Sequence, residues 1–84
     1  MIRLKPVEST TLLAIGYDDV AQRLHLQFHS RAIYCYFGVP ADVYQHLYSA
    51  PSKGAYFNRY IRRRFPFQKL LPVHNGNASL GTAS

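Results

Sequence analysis

The chain is 84 residues long and 48% hydrophobic, which is enough for one small folded domain and argues against disorder. Its single cysteine excludes an internal disulfide framework, and its apolar runs are too short for a secretory signal or a membrane span, so we expect a soluble, cytoplasmic protein. Ten Lys and Arg residues against four Asp and Glu residues give a net charge of +6, which fits either a polyanionic partner or a solvated basic surface that keeps the protein soluble.

The first half of the chain predicts three strands joined by tight turns. After an N-terminal arm (residues 1–6), residues 12–17 form a mostly apolar run that ends at a pair of aspartates. Residues 23–29 alternate between apolar and polar side chains, which is typical of a half-buried strand. Residues 32–37 are rich in aromatic and β-branched side chains. Three such segments in succession predict an antiparallel meander.

Two helices are predicted to follow the strands. Pro40 suits the first position of a helix that extends to about Ala50, and Ser52 suits the N-cap of a second helix that ends before the next proline. The predicted fold is therefore α+β, with a three-stranded antiparallel meander followed by two helices packed on one sheet face. We expect the domain to cover residues 7–69 and residues 70–84 to form a flexible C-terminal tail.

The positive charge is concentrated in one part of the chain. Basic and acidic residues are equal in number in the first half, whereas all the charged residues in residues 53–69 are basic. We predict that this segment forms a helix up to Pro66 whose cations contact phosphates and whose tyrosines stack on unpaired bases, with Lys69 extending the track beyond the helix. The candidate nucleic-acid-binding residues are Lys53, Tyr56, Arg59, Tyr60, Arg62, Arg63 and Arg64, of which Arg59, Arg62 and Arg63 are the principal phosphate contacts.

Tyr34 and Tyr36 share one side of the third predicted strand, and two interpretations of them stay open. They provide a stacking platform, as aromatic sheet faces do in some RNA-binding folds. Alternatively they pack the helices onto the sheet with their hydroxyl groups at its rim, which is the more common use of buried tyrosines.

Catalytic chemistry finds little support in the sequence. On a strand, His25 and His29 are separated by about 13 Å, too far to share a metal ion or a proton. Cys35 lies among apolar neighbours, where burial raises the pKa of a thiol and makes it unreactive. We therefore predict no enzyme activity, metal, cofactor or small-molecule substrate. A small hydrolase would require histidine and lysine side chains that converge in a cleft.

Four motifs occur in order along the chain. They are Ile15-Gly16-Tyr17-Asp18, Tyr34-Cys35-Tyr36, Val39-Pro40-x-x-Val43-Tyr44 and Ser52-x-Gly54-x-Tyr56-Phe57-Asn58-x-x-Ile61-Arg62. In this order the chain resembles the KTSC domain, a short module named for the C-terminus of some lysyl-tRNA synthetases that also occurs as free-standing bacterial proteins. The resemblance implies RNA binding by association and no assigned activity. Family members often carry glycine before the Tyr-x-Tyr strand, where this chain has His29-Ser30-Arg31, so the type of this turn is open.

The leading functional hypothesis is a non-catalytic module that binds RNA, either tRNA or single-stranded RNA, through the basic helix lined with aromatic residues. The alternative is a protein-interaction or self-association module, because tyrosine, phenylalanine and arginine are also enriched at protein interfaces.

Overall fold

The computed structural model describes residues 3–70, which form an α+β domain with one five-stranded antiparallel sheet and two helices. The strands are hydrogen-bonded in chain order, from the first at one edge to the fifth at the other. The elements are β1 (Lys5–Pro6), β2 (Leu12–Asp18), β3 (Arg23–Phe28), β4 (Ile33–Phe37), α1 (Ala41–Ser49), α2 (Lys53–Tyr60) and β5 (Phe67–Leu70).

The predicted three-stranded meander corresponds to β2, β3 and β4, but the prediction of three strands was wrong because a short strand adds to each edge. Strand β1 has two residues, of which Pro6 lacks an amide donor and is tolerated because the strand lies at the edge. Strand β5 pairs with β4 from Phe67 opposite Tyr36 to Leu70 opposite Ile33. Both strands are too short for alternation to be recognised in the sequence. Leu70 was predicted to begin the tail, whose remaining residues, 71–84, lie outside the described part of the chain.

The starts of both helices agree with the sequence. Pro40 occupies the N-cap of α1, one residue before the predicted position, and the Ser52 hydroxyl caps α2 by accepting a hydrogen bond from the Ala55 amide at 3.3 Å. The predicted end of the second helix was wrong, because α2 ends at Tyr60 and not before Pro66. The chain must turn back early so that Pro66 can accept a hydrogen bond from the Phe37 amide and lead β5 onto β4.

The core lies between the helices and one face of the sheet, as predicted. Cross-strand pairing places Leu26 opposite both Ile15 and Tyr34, and Leu24 opposite Tyr36, so these side chains share a face. An irregularity in β2 between residues 12 and 14 brings Leu12 onto the same face as Ile15. The most completely buried side chains are Leu12, Ile15, Leu24, Leu26, Val39, Leu47 and Ile61. No helix in residues 3–70 is long and apolar enough to cross a membrane.

The turn between β3 and β4 uses Arg31 where glycine is conformationally easier. Arg31 has a φ of 76°, and its amide donates to the Phe28 carbonyl at 2.8 Å. Ala32 in turn accepts a hydrogen bond from the Phe28 amide at 2.9 Å, so the hairpin closes around a left-handed residue. The turn therefore keeps the geometry that glycine favours, although an arginine stands there.

The sheet face opposite the helices carries Gly16, His25 and Cys35 in register. Cys35 is 4% exposed and burial raises the pKa of its thiol, as expected for an unreactive cysteine. His25 has a buried Nδ1 atom without a hydrogen-bond partner within the described residues. Burial lowers the pKa of its imidazole and nearby Arg23 lowers it further, whereas the negative charge of Asp18 raises it. The neutral ring is therefore the form that the fold favours.

We predict that His25 makes the domain less stable in acid. Its folded pKa lies below the unfolded value of about 6.5, so the unfolded chain binds the proton more tightly. The free energy of unfolding should be unaffected by this group above pH 6.5 and should decrease as the pH falls from there through the folded pKa. Urea titrations between about pH 4 and 8 should show a smaller decrease for His25→Phe than for the wild type. Equal pH dependence in the two proteins would contradict this prediction.

Candidate nucleic-acid interface

A cleft of about 550 Å³ opens at the β5 edge of the core face, between the sheet and the C-terminal end of α2. Its walls come from the β3–β4 hairpin, from β4 and β5, and from the turn after α2. The lining residues combine aromatic, basic and small polar side chains, and we call them together the cleft: Thr11, Phe28, Ser30, Ala32, Tyr34, Tyr36, Phe57, Asn58, Arg62, Arg63, Phe67 and Lys69.

The floor of the cleft is a set of interlocked aromatic rings. Phe57 of α2 makes edge-to-face contacts with Phe28 at 5.4 Å and with Tyr36 at 5.6 Å between ring centroids. Tyr36 is 3% exposed, and burial raises the pKa of its hydroxyl, helped by Tyr34 and opposed by Arg62. The floor is therefore uncharged and held in place by packing.

The outer wall of the cleft is more accessible. Phe67 is 53% exposed although its ring centroid lies 5.3 Å from that of Tyr36 and 5.5 Å from that of Tyr34. Tyr34 is half-buried and also meets Phe28 edge to face at 5.4 Å. An aromatic surface thus extends from the core to solvent along β4 and β5.

Basic side chains border this aromatic surface on two sides. Arg62 and Arg63 approach from the turn after α2, and Lys69 lies on β5 directly opposite Tyr34. Arg62 donates a long hydrogen bond of 3.5 Å to the Asn58 side-chain oxygen. No carboxylate lines the cleft within the described residues, so its positive field is not neutralised locally.

The early end of α2 divides the predicted binding residues into two groups. Arg62 and Arg63 lie in the turn and line the cleft, whereas Arg64 is exposed in the same turn and does not line it. The remaining four lie on the body of α2 and are not in the cleft, and we call them the helix patch: Lys53, Tyr56, Arg59 and Tyr60.

The helix patch has its own geometry. Tyr56 and Tyr60 lie 4.7 Å apart between ring centroids, and the Arg59 guanidinium lies 5.6 Å from the Tyr60 ring centroid. Burial raises the pKa of Tyr56, with smaller contributions from Tyr60 and Asp42. Lys53 donates a hydrogen bond to the Ala50 carbonyl at 3.1 Å. Tyr56, Arg59 and Tyr60 therefore form a surface of aromatic and basic groups that is separate from the cleft, and Lys53 lies at the start of the same helix.

The sequence indicated some of the cleft and missed the rest. Tyr34 and Tyr36 were considered as a stacking platform or as packing residues, and Tyr36 is indeed buried against Phe57. The sequence analysis assigned no functional role to Phe67 or to Phe28. No local signal would have found Phe67, because β5 is too short for its alternation to be recognised and only its pairing with β4 places Phe67 and Lys69 on the side of Tyr34 and Tyr36.

The three histidines within residues 3–70 do not converge on the cleft. His25 lies on the opposite sheet face, and the His29 Nε2 atom hydrogen-bonds the Ser9 carbonyl at 2.6 Å. His46 lies on α1, 6.4 Å from Tyr56 between ring centroids, and His74 falls outside the described residues. No group of three or more His, Cys, Asp or Glu side chains in residues 3–70 is placed to hold a metal ion.

The fold is that of a small α+β domain with two helices over one face of an antiparallel sheet, and comparison with known proteins identifies its family. The KTSC domain profile matches residues 8–65, so the chain belongs to the KTSC domain family. A KTSC domain protein from Yersinia pestis has a crystal structure that superimposes with a TM-score of 0.81 at 37% identity, covering 83% of this chain and 99% of that one.

Curated relatives include proteins of very different length. A lysine–tRNA ligase from Nostoc punctiforme is 40% identical over 67 residues, which cover 80% of this chain but 12% of the ligase. A protein from Tsukamurella paurometabola is 40% identical over 62 residues, which cover 74% of this chain and 92% of that relative. The same domain therefore exists both as most of a small protein and as a minor part of a tRNA ligase.

Proposed function

We propose that this protein is a non-catalytic RNA-binding module that binds tRNA or single-stranded RNA through the cleft. The proposal rests on the composition of the cleft, in which Arg62, Arg63 and Lys69 border an accessible aromatic surface. No carboxylate is among its described lining residues. Cations contact phosphates, and aromatic rings contact bases. The match to a domain within lysine–tRNA ligases supports RNA as the polyanion and a cytoplasmic location.

A second candidate is a protein-interaction or self-association module that uses the helix patch. Tyr60 is 42% exposed and borders a shallow, mostly apolar groove with Ala50, Pro51 and Ala55. Tyrosine and arginine on an apolar surface are typical of protein interfaces. Light scattering across a range of protein concentrations separates the two candidates, because this one predicts a mass that rises with concentration and does not respond to RNA.

The RNA proposal predicts salt-dependent binding that depends on the cleft. Three cations that neutralise three phosphates of single-stranded RNA give a slope of about −2 in log K against log salt, which weakens binding about 20-fold from about 50 to 200 mM salt. Fluorescence anisotropy with labelled tRNA and oligouridine should show micromolar or tighter binding at the lower salt. The double variant Arg62→Ala/Arg63→Ala should reduce the slope for oligouridine to about −0.7.

The matched control is the double variant Arg3→Ala/Lys5→Ala. It removes the same charge from exposed residues near β1, at the opposite edge of the sheet. It should weaken binding far less than Arg62→Ala/Arg63→Ala. The double variant Lys53→Ala/Arg59→Ala measures the contribution of the helix patch to RNA affinity in the same assay. If no RNA binds at low salt, the proposal is wrong, and equal losses for all three pairs would indicate non-specific attraction to a basic protein.

A further inference from the structure

We propose that the cleft binds one unpaired nucleotide, with its base stacked on the exposed ring of Phe67 and its flanking phosphates held by Arg62, Arg63 and Lys69. This inference rests on the proposed RNA-binding function and specifies its ligand: a single strand or loop with accessible bases, not a double helix.

The exposure of Phe67 is the first argument. A phenylalanine needed only for folding is expected to be buried, yet Phe67 lies on a four-residue edge strand and is 53% exposed. Its ring packs against two others, because its centroid lies within 5.5 Å of the ring centroids of both Tyr34 and Tyr36. An aromatic side chain that is packed on one side and accessible on another can act as a stacking platform for a base.

The placement of the cations is the second argument. Lys69 is on the same side of β5 as Phe67, two residues further along, and Arg62 and Arg63 line the same cleft. A base on Phe67 therefore shares the cleft with three cations, which are available to the phosphates before and after it in a strand. Stacking and phosphate contacts can then be made at the same time.

The size of the cleft is the third argument. A volume of about 550 Å³ falls within the range of small-ligand sites, about 300–1,000 Å³. In a double helix the faces of the bases are covered by their neighbours and the sugar-phosphate backbone lies outside, so a ring on the wall of a cleft cannot reach them. Only an unpaired base can enter and stack.

The test measures anisotropy with four probes: a labelled uridine octamer, the same octamer with all bases removed, a blunt-ended RNA duplex, and free UMP as a competitor. We expect the octamer to bind at least tenfold more tightly than the abasic strand or the duplex. Phe67→Ala should weaken octamer binding about tenfold, as expected for the loss of one stacked base, and leave abasic binding unchanged. Phe67→Tyr should retain octamer binding because it keeps the ring.

The control is Gln68→Ala, on the neighbouring position of β5 and the opposite sheet face, which should leave all affinities unchanged. Circular dichroism establishes that each variant is folded at the assay temperature. Equal binding of octamer, abasic strand and duplex, still reduced by Arg62→Ala/Arg63→Ala, would overturn the stacking inference while the RNA-binding function stands. Absence of any RNA binding would overturn both. If UMP displaces the octamer and binds as tightly as the octamer does, the stacking inference is wrong and the cleft is a site for free nucleotides.

Discussion

Replacing Gly54 with alanine is expected to lower the free energy of unfolding by about 1–3 kcal/mol. By helix propensity alone, alanine in α2 would raise it by up to about 1 kcal/mol. In the structure the expected effect on stability is the opposite, because a Cβ atom at Gly54 would collide with Thr11. It would reach the Oγ1 atom of Thr11 and lie 2.9 Å from its Cβ atom. Gly54 lies in the first turn of α2, and Thr11 is the neighbour that approaches it. Chemical denaturation of the two proteins measures the difference.

A double-mutant cycle identifies the collision as the cause. Thr11→Gly removes both clashing atoms, so the loss caused by Gly54→Ala should be much smaller in the Thr11→Gly background than in the wild type. Ala55→Gly, at the neighbouring exposed position of α2, should lower stability only by its helix propensity, about 1 kcal/mol. If Gly54→Ala is as stable as the wild type, α2 does not start as close to Thr11 as the structure indicates.

The parts of the fold that the sequence predicted are those with local signals. The alternation of β3 and the helix-start residues Pro40 and Ser52 depend on neighbouring positions, and the structure confirms the elements they define. Strands β1 and β5 have two and four residues and exist because the sheet offers them a partner. Such pairing is a tertiary effect, and segments this short show no recognisable alternation of apolar and polar residues in the sequence.

The same limit explains the error in the candidate site. The sequence analysis located the excess of basic residues in residues 53–69 but predicted a continuous helix up to Pro66. Because α2 ends at Tyr60, Arg62 and Arg63 leave the helix and face the sheet, while Arg59 stays on the helix patch. The approach of Phe67 to Tyr34 depends on the pairing of β4 with β5, which no local pattern indicates.

The second large effect is expected for Phe57→Ala, which should lower the free energy of unfolding by about 3–5 kcal/mol. Phe57 is 4% exposed, so its removal leaves a cavity, and it also loses the edge-to-face contacts with Phe28 and Tyr36. A domain of this size has about 5–15 kcal/mol of stability, so the variant can be largely unfolded. Phe57→Leu keeps most of the apolar volume and should lose about 1–2 kcal/mol, chiefly the aromatic contacts.

Comparison of Phe57 with Phe67 separates the role of the cleft floor from that of its outer wall. Phe67→Ala should cost only about 1 kcal/mol of stability because Phe67 is 53% exposed, yet it should weaken binding of single-stranded RNA about tenfold. Phe57→Leu should show the opposite pattern, with a larger loss of stability and less than a threefold change in RNA affinity, because Phe57 supports Tyr36 from below and offers little surface to a base. Denaturation and anisotropy on the same two preparations test this contrast. If both variants lose stability and affinity in the same proportion, Phe67 acts through the fold and not by stacking.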